Sequence, residues 1–310
     1  MKRRDFLLTT AMTSVASMLR FDKLEAALKN NTISVSSAPD LVAVMGGEPA
    51  VMLDRALAKF GGIKSFVKKG QVVVLKPNIG WDKTPDHAAD TNPDLVAAMV
   101  KQCYSAGAKR VEVFDHTCNQ WDRCYVNSGI KNAVESAGGI MIPANDESFF
   151  RTVAIPNGVK LKQTAIHRSL LDCDVWFNMP ILKNHGGAKM TISMKNYMGI
   201  VWDREYFHRT DLQQCIADVC TFHKRPALNI VDAYRIMFQN GPQGKSVVDT
   251  ALLKTLIVSP DIVAADAASV KFFNQVRKMN INEVSHIQMG QALHLGTEDL
   301  EKLRIDRIKI

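Results

Sequence analysis

Residues 71–82, QVVVLKPNIGWD, decide the fold: an unbroken apolar run, Val72 to Leu75, ends abruptly at Lys76, Pro77 and Asn78. A β-branched run with no polar alternation is buried on both faces, the situation of a strand inside a parallel sheet. Downstream, Asn92, Pro93 and Asp94 form an N-cap, a first-turn proline and a first-turn acid. They open a helix predicted to reach about Ser105 and stop at Gly107. The strand VEVFD, 111–115, follows, then a helix over 128–137 closed by Gly138 and Gly139, then the strand IMIP.

Strand, helix, strand in alternation predicts an α/β fold, a doubly wound, mainly parallel sheet with helices on both faces. Upstream, LVAVMGG (41–47) runs into a helical pattern over Pro49 to Phe60. Downstream, FFRTVAIPNGVKLKQTAI breaks the rhythm and reads as a β-hairpin inserted on the sheet's edge, turning at Pro156, Asn157 and Gly158. DVWF, LNIVDA and LLKTLIVS are further strands, and RIDRIKI adds an edge strand at the end. Thr210 and Gln213 form a capping-box pattern before a helix to about Phe222, and Ser259, Pro260 and Asp261 open the helix that carries Asp266.

The amino terminus is a separate matter. Lys2, Arg3 and Arg4, then Asp5, then FLLTTAMTSVASML read as an export signal too short and too rich in Ser and Thr for a stable membrane span. Paired Arg3 and Arg4 before Asp5, Phe6 and Leu7 resemble the twin-arginine signal, which implies the twin-arginine export machinery as a partner and a periplasmic location. The organisation expected is a signal over 1–27, a linker over 28–40 and a single α/β domain over 41–310.

The chain's net charge is +8, and removal of residues 1–20 leaves +5. That balance suits a small anionic ligand, while scattered basic residues with no interleaved aromatic strip exclude nucleic acid as a partner. Six cysteines at 103, 118, 124, 173, 215 and 220 include no C-x-x-C. Cys103 falls on an apolar helical stripe, and Cys215 and Cys220 stand roughly 140° apart on a helix, so these three read as core. Cys118 and Cys124 fall in an expected loop and are left open to pairing or to metal ligation.

In an open parallel sheet, ligands bind beyond the carboxyl ends of the strands, where loops and helix starts converge. Those ends carry Lys76 and Asn78, Asp115 and His116, Asn178 with Lys183 and His185, Asp232, and Ser259 with Asp261. Asp232 and Asp115 are equally readable as caps of the following turns, and Asp261 as a first-turn acid. Asp266 shares a helical face with Val263, Val270 and Phe273, so it reads as buried and paired. The segment AKMTISMKNYMG admits a strand or a helix; in both, methionines turn inward while Thr191, Ser193 and Lys195 face together, a surface suited to carboxylate or phosphate.

Four blocks, VVVLKPNIG, PILKNHGGAKMTISMKNYMG, NIVDAYRIMFQNGPQG and VSPDIVAADAASV, resemble in order and spacing the bacterial and archaeal family called domain of unknown function 362. The likeness spans roughly residues 70–275 and matches at Lys76, Pro77, Asn78, Lys183, His185, Thr191, Lys195, Asn196, Asp232 and Gly241. The resemblance implies iron-sulfur association, yet the C-x-x-C-x-x-C motif of many members is missing, so a ferredoxin-type cluster is not carried over.

The sequence therefore points to an exported protein with an anion- or metal-binding crevice, either a redox or metal-dependent enzyme or a non-catalytic ligand-binding or cofactor-maturation protein. In the enzyme reading, His185, Lys183 and His116 are the catalytic set. Lys76, Asn78, Asn178, Thr191, Lys195 and Asn196 bind substrate, and Asp115, Asp232 and Cys118 hold a metal. A variant of the metal reading gathers Cys118, His116, Cys124 and Asp115. No dinucleotide, nucleophile-elbow or H-E-x-x-H fingerprint is present.

Overall fold

The computed structural model describes residues 38–310; the predicted export signal and the linker as far as residue 37 lie outside the described residues. In chain order the strands are β1 (Leu41–Met45), β2 (Val72–Pro77), β3 (Arg110–Val113), β4 (Ile140–Met141), β5 (Phe150–Ala154), β6 (Gln163–His167), β7 (Val175–Met179), β8 (Ile181–His185), β9 (Lys189–Thr191), β10 (Asn229–Met237), β11 (Thr250–Ser259) and β12 (Ile305–Lys309). The main α-helices are α1 (Pro49–Lys59), α2 (Pro93–Ser105), α3 (Trp121–Asn127), α4 (Ile130–Ser136), α5 (Arg168–Asp172), α6 (Ser193–Asn196), α7 (Glu205–Thr210), α8 (Leu212–Val219), α9 (Ile262–Phe273) and α10 (His286–Ala292).

The sheet runs β12-β1-β11-β10-β7-β2-β3-β4, with β8 and β9 branching from β10. On that path only β11 runs against its neighbours; the other adjacent strands pair in parallel. Alternate residues of each strand feed two separate cores. Val74, Trp176, Val231 and Ile257 pack with α8, α9 and α10 on one face. Val73, Leu75, Phe177, Ile230 and Val258 pack with α1, α2 and α4 on the other. This is the three-layer α/β arrangement the continuous apolar runs require.

Local chemistry sets the elements. The Asn92 side chain accepts the amide of Asp94 at 2.9 Å and Pro93 pre-sets the first turn of α2, whose Leu95, Val96, Met99, Val100 and Cys103 are buried. Pro180 ends β7, and the chain bends so that β7 meets the start of β10 while β8 pairs further along it. None of the described helices is long and apolar enough to cross a membrane.

Four local expectations change. The 150–167 hairpin is a separate two-stranded sheet, with Phe150 and Ile166 packed into one of the cores, rather than an addition to the main sheet's edge. The segment 189–200 is strand first and helix afterwards, β9 then α6, so both readings of its periodicity hold in succession. Asp211, not Thr210, caps α8, accepting the amide of Gln214 at 3.1 Å. Cys124 lies buried in α3 instead of a loop, and all six cysteines are free.

Candidate functional site

β2 delivers Lys76 into the interior, where its side chain is fully buried. An isolated buried ammonium is costly, and the chain answers with Asp115 from the end of β3, whose Oδ1 lies 2.8 Å from Nζ. Asp115 Oδ2 also takes the amide of Ile79 at 2.6 Å, and Lys76 donates to Asn196 Oδ1 at 2.8 Å. Burial lowers the Lys76 ammonium and Asp115 draws it back up. Gly199 makes the pair feasible, since a Cβ there would run into both Asp115 Oδ1 and Lys76 Nζ.

Lys76, Asn178, Asn229 and Ser259 are direct partners across β2, β7, β10 and β11, forming one polar row. A chain of amides follows it. Lys183 Nζ donates to Asn78 Oδ1 (3.1 Å), Asn78 Nδ2 to Asn196 Oδ1 (3.1 Å), and Asn196 Nδ2 to Asn178 Oδ1 (2.9 Å). Asn178 Nδ2 then donates to Asn229 Oδ1 (2.9 Å), and Asn229 Nδ2 to the Ser259 carbonyl (3.3 Å).

The opposite wall comes from β8, β9 and α6. Lys183 is buried and also donates to the Ala89 carbonyl. Burial lowers its ammonium and raises the buried carboxyl of neighbouring Asp90, each charge opposing the other's shift. Asp266 receives the amides of Ser193 at 2.7 Å and Met194 at 3.0 Å, pinning the start of α6. That helix presents Lys195 to the cavity. Among the described residues Lys195 makes neither a hydrogen bond nor an ion pair, unlike the two other lysines. Burial pushes its ammonium down to about 8, and the charges of Arg204, Lys183 and Lys76 add to this. Thr191 beside it is buried, and its hydroxyl has no hydrogen-bond partner.

Two histidines face the same space in opposite tautomers. His185 Nδ1 accepts the Ala188 amide at 3.0 Å, which leaves the proton of the neutral ring on Nε2. His116 Nδ1 lies 2.8 Å from the Val201 carbonyl and must donate, which leaves Nε2 as an acceptor. Both rings are held neutral: burial pushes His116 down to about 4, with Arg204 assisting, and His185 down to about 2, with Lys195 and Lys183 assisting. Arg204 donates to the carbonyls of His116 (2.8 Å) and Thr117 (2.6 Å) and to Cys118 Sγ (3.2 Å). Those three bonds leave two of a guanidinium's five N–H groups without a protein partner. The whole encloses a cavity of about 370 Å³.

The family model described as "Domain of unknown function (DUF362)" matches residues 73–271, most of the chain. The chain belongs to this family. It is 26% identical over 227 residues to the thylakoid-associated protein sll1697 of Synechocystis sp., an overlap of 71% of this chain and 68% of that relative. A solved protein of Thermotoga maritima is similar at 13% identity with a TM-score of 0.43, over 74% of this chain; the match spans 60% of that structure's length.

In this DUF362 member, Lys76, Asn78, Asp115, His116, Cys118, Lys183, His185, Thr191, Lys195 and Asn196 all line that one cavity. Asn178 and Asp232 do not. Asn178 lies beneath the cavity and orients Asn196. Asp232 falls within β10, which runs five residues past it to Met237, and its carboxylate takes the amides of Asn92 (2.7 Å) and Tyr234 (2.9 Å). The proposed metal set is thus not assembled: Asp115 is engaged by Lys76, Asp232 by backbone, and Cys118 is exposed. Nor does Cys124 join it, being buried in α3 with its Sγ 3.9 Å from the Gly80 carbonyl. Among the described residues no three His, Cys, Asp or Glu side chains gather as a metal shell.

Ser259 and Asp261 also leave the site, because β11 is antiparallel and its outgoing chain heads away from the loops of β2 and β7. Ser259 Oγ donates to the Asp40 carbonyl, and Asp261 caps α9 through the amides of Val263 and Ala264. Arg204, Asp90, His208 and Asn229 escaped the sequence reading. Arg204 and His208 line the cavity from the segment after Gly199, where neither a strand end nor a motif marks them.

Proposed function

We propose that this protein binds a small anion, a carboxylate or phosphate, between Lys195, Arg204 and Thr191, and that His185 and His116 exchange protons with it. The observation that carries this reading is Lys195, a cation in no hydrogen bond or ion pair among the described residues, in a cavity whose two carboxylates are engaged elsewhere, Asp115 by Lys76 and Glu205 by Arg209. Cations paired by the fold, such as Lys76, have their charge spent internally; an unpaired one is available to a ligand. The Nε2–H of His185 and the Nε2 lone pair of His116 supply a donor and an acceptor for general acid–base chemistry. Calorimetric titration with phosphate and with acetate tests the site: Lys195→Met is expected to weaken binding roughly tenfold or more. Unchanged affinity would remove the proposal. His185→Ala and Lys183→Ala separate an enzyme from a carrier, since an enzyme loses turnover beyond its loss of binding.

Export through the twin-arginine pathway to the periplasm is part of the same reading and rests on Arg3 and Arg4 before Asp5, Phe6 and Leu7. The name of the Synechocystis relative, which associates it with thylakoids, accords with a place outside the cytoplasm. Replacing both arginines by lysine is expected to retain the protein in the cytoplasmic fraction on cell fractionation; continued export would refute the assignment.

A further inference from the structure

Lys76 and Lys183 show how this fold engages a buried lysine. Each donates to two protein acceptors and has a carboxylate acting on it, Asp115 or Asp90. Lys195 has none of these supports. Its charged neighbours are chiefly cations, and burial lowers its ammonium to about 8 as it does that of Lys183, so what sets Lys195 apart is a nitrogen that no acceptor among the described residues occupies. A lysine desolvated beside other cations is the arrangement that makes an amine nucleophilic.

The rest of the cavity suits a particular electrophile. Arg204 keeps two N–H groups for a carboxylate, and a planar fork is the natural partner of that group. His185 presents a neutral imidazole Nε2–H, the form that polarises a carbonyl oxygen by hydrogen bonding. Lys195 is the cation acting most strongly on that ring, which places amine and imidazole in one neighbourhood. The unpartnered hydroxyl of buried Thr191 offers a further donor on the same wall.

We propose that Lys195 forms a covalent imine with a small carboxylate carrying an adjacent carbonyl, a 2-oxo acid, whose carboxylate is held by Arg204. The inference rests on the anion-binding reading and gives it a substrate class. Nζ of the free amine adds to the carbonyl carbon as the carbonyl π bond breaks, and a proton moves from nitrogen to oxygen to give the carbinolamine. The C–O bond then breaks, water leaves with the second amine proton, and a C=N bond joins substrate to Lys195. No electrons are exchanged with an outside partner, so no oxidant or reductant is needed.

The test is reductive trapping of the purified wild-type protein with pyruvate or glyoxylate and sodium cyanoborohydride, followed by intact-mass and peptide mass spectrometry. The expected result is one reduced adduct per chain at Lys195, favoured at least about tenfold over any exposed lysine. Acetaldehyde, which lacks the carboxylate, is expected to show no such preference. In Lys195→Arg, which keeps a cation but has no nucleophilic amine, the adduct disappears while near-ultraviolet circular dichroism confirms the fold. Adducts spread over surface lysines, or an unlabelled Lys195, would overturn the imine. If calorimetry on the same wild-type sample still shows acetate and phosphate binding, only the imine fails; if it shows none, the anion site fails with it.

Discussion

The two walls of the cavity carry similar residues and are built on opposite principles. On the β2 wall, buried Lys76 is bonded to Asp115 and to Asn196, which reaches over from α6 and uses both its oxygen and its nitrogen twice. On the facing side Lys183 is bonded in the same way, but Lys195 has no partner among the described residues, the Thr191 hydroxyl has none, and Arg204 is only partly engaged. Density of polar residues is the same signal in both. What separates them is satisfaction: the first wall completes its bonds within the protein, and the second leaves bonds to be completed by something else.

The contrast breaks most visibly on the satisfied side. Asp115→Asn removes the counter-charge of a fully buried ammonium and is expected to cost about 3–5 kcal/mol in a denaturant titration. Gly199→Ala should lower stability too, by forcing the pair apart. If either variant is as stable as the parent, the wall is not the structural unit described. Asp266→Ala strips the buried carboxylate from the amides of Ser193 and Met194 and is expected to cost about 2–3 kcal/mol by the same measurement.

A third effect depends on pH. His167 is buried, stacks on Phe114 with ring centroids 4.0 Å apart, accepts the Ser169 amide and lies 3.1 Å from the Pro143 carbonyl. Burial depresses it to about 4, below the usual 6.5, so the neutral ring is the native form. Its contribution is therefore complete above pH 6.5 and lost as pH falls toward 4, at roughly 1.4 kcal/mol per pH unit. His167→Gln should flatten that part of the melting-temperature profile; an unchanged slope would refute the assignment. The smallest effect belongs to the unsatisfied wall. Lys195→Met should change stability by less than about 1 kcal/mol, toward stabilisation, because it deletes a repelled charge and no bond. A large loss would mean that Lys195 also serves the fold.

The fold was legible because Val72–Leu75 and its counterparts have no reason to be uniformly apolar except burial on both faces. The strand-end rule then located most of the cavity. It misplaced Ser259 and Asp261 because strand direction is set by pairing partners distant in sequence, and β11 happens to be antiparallel. It misplaced Asp232 because an acid inside a strand reads like one at its end until the ladder is known. Arg204 was invisible for a different reason: its role is fixed by the carbonyls of His116 and Thr117, about ninety residues away, which no local pattern encodes.

The amide row from Lys183 to the Ser259 carbonyl also has a direction. An ammonium can only donate and a carbonyl can only accept, so the two ends dictate which way Asn78, Asn196, Asn178 and Asn229 must each turn. None of the four is free to choose. Because Asn178 and Asn229 are direct partners across β7 and β10, the row acts as a checksum on their alignment: a slip of one residue in either strand would turn its asparagine to the other face and interrupt the sequence. An aspartate in place of any of these asparagines would keep the shape and lose the donor, leaving the strands correctly spelled but no longer proofread.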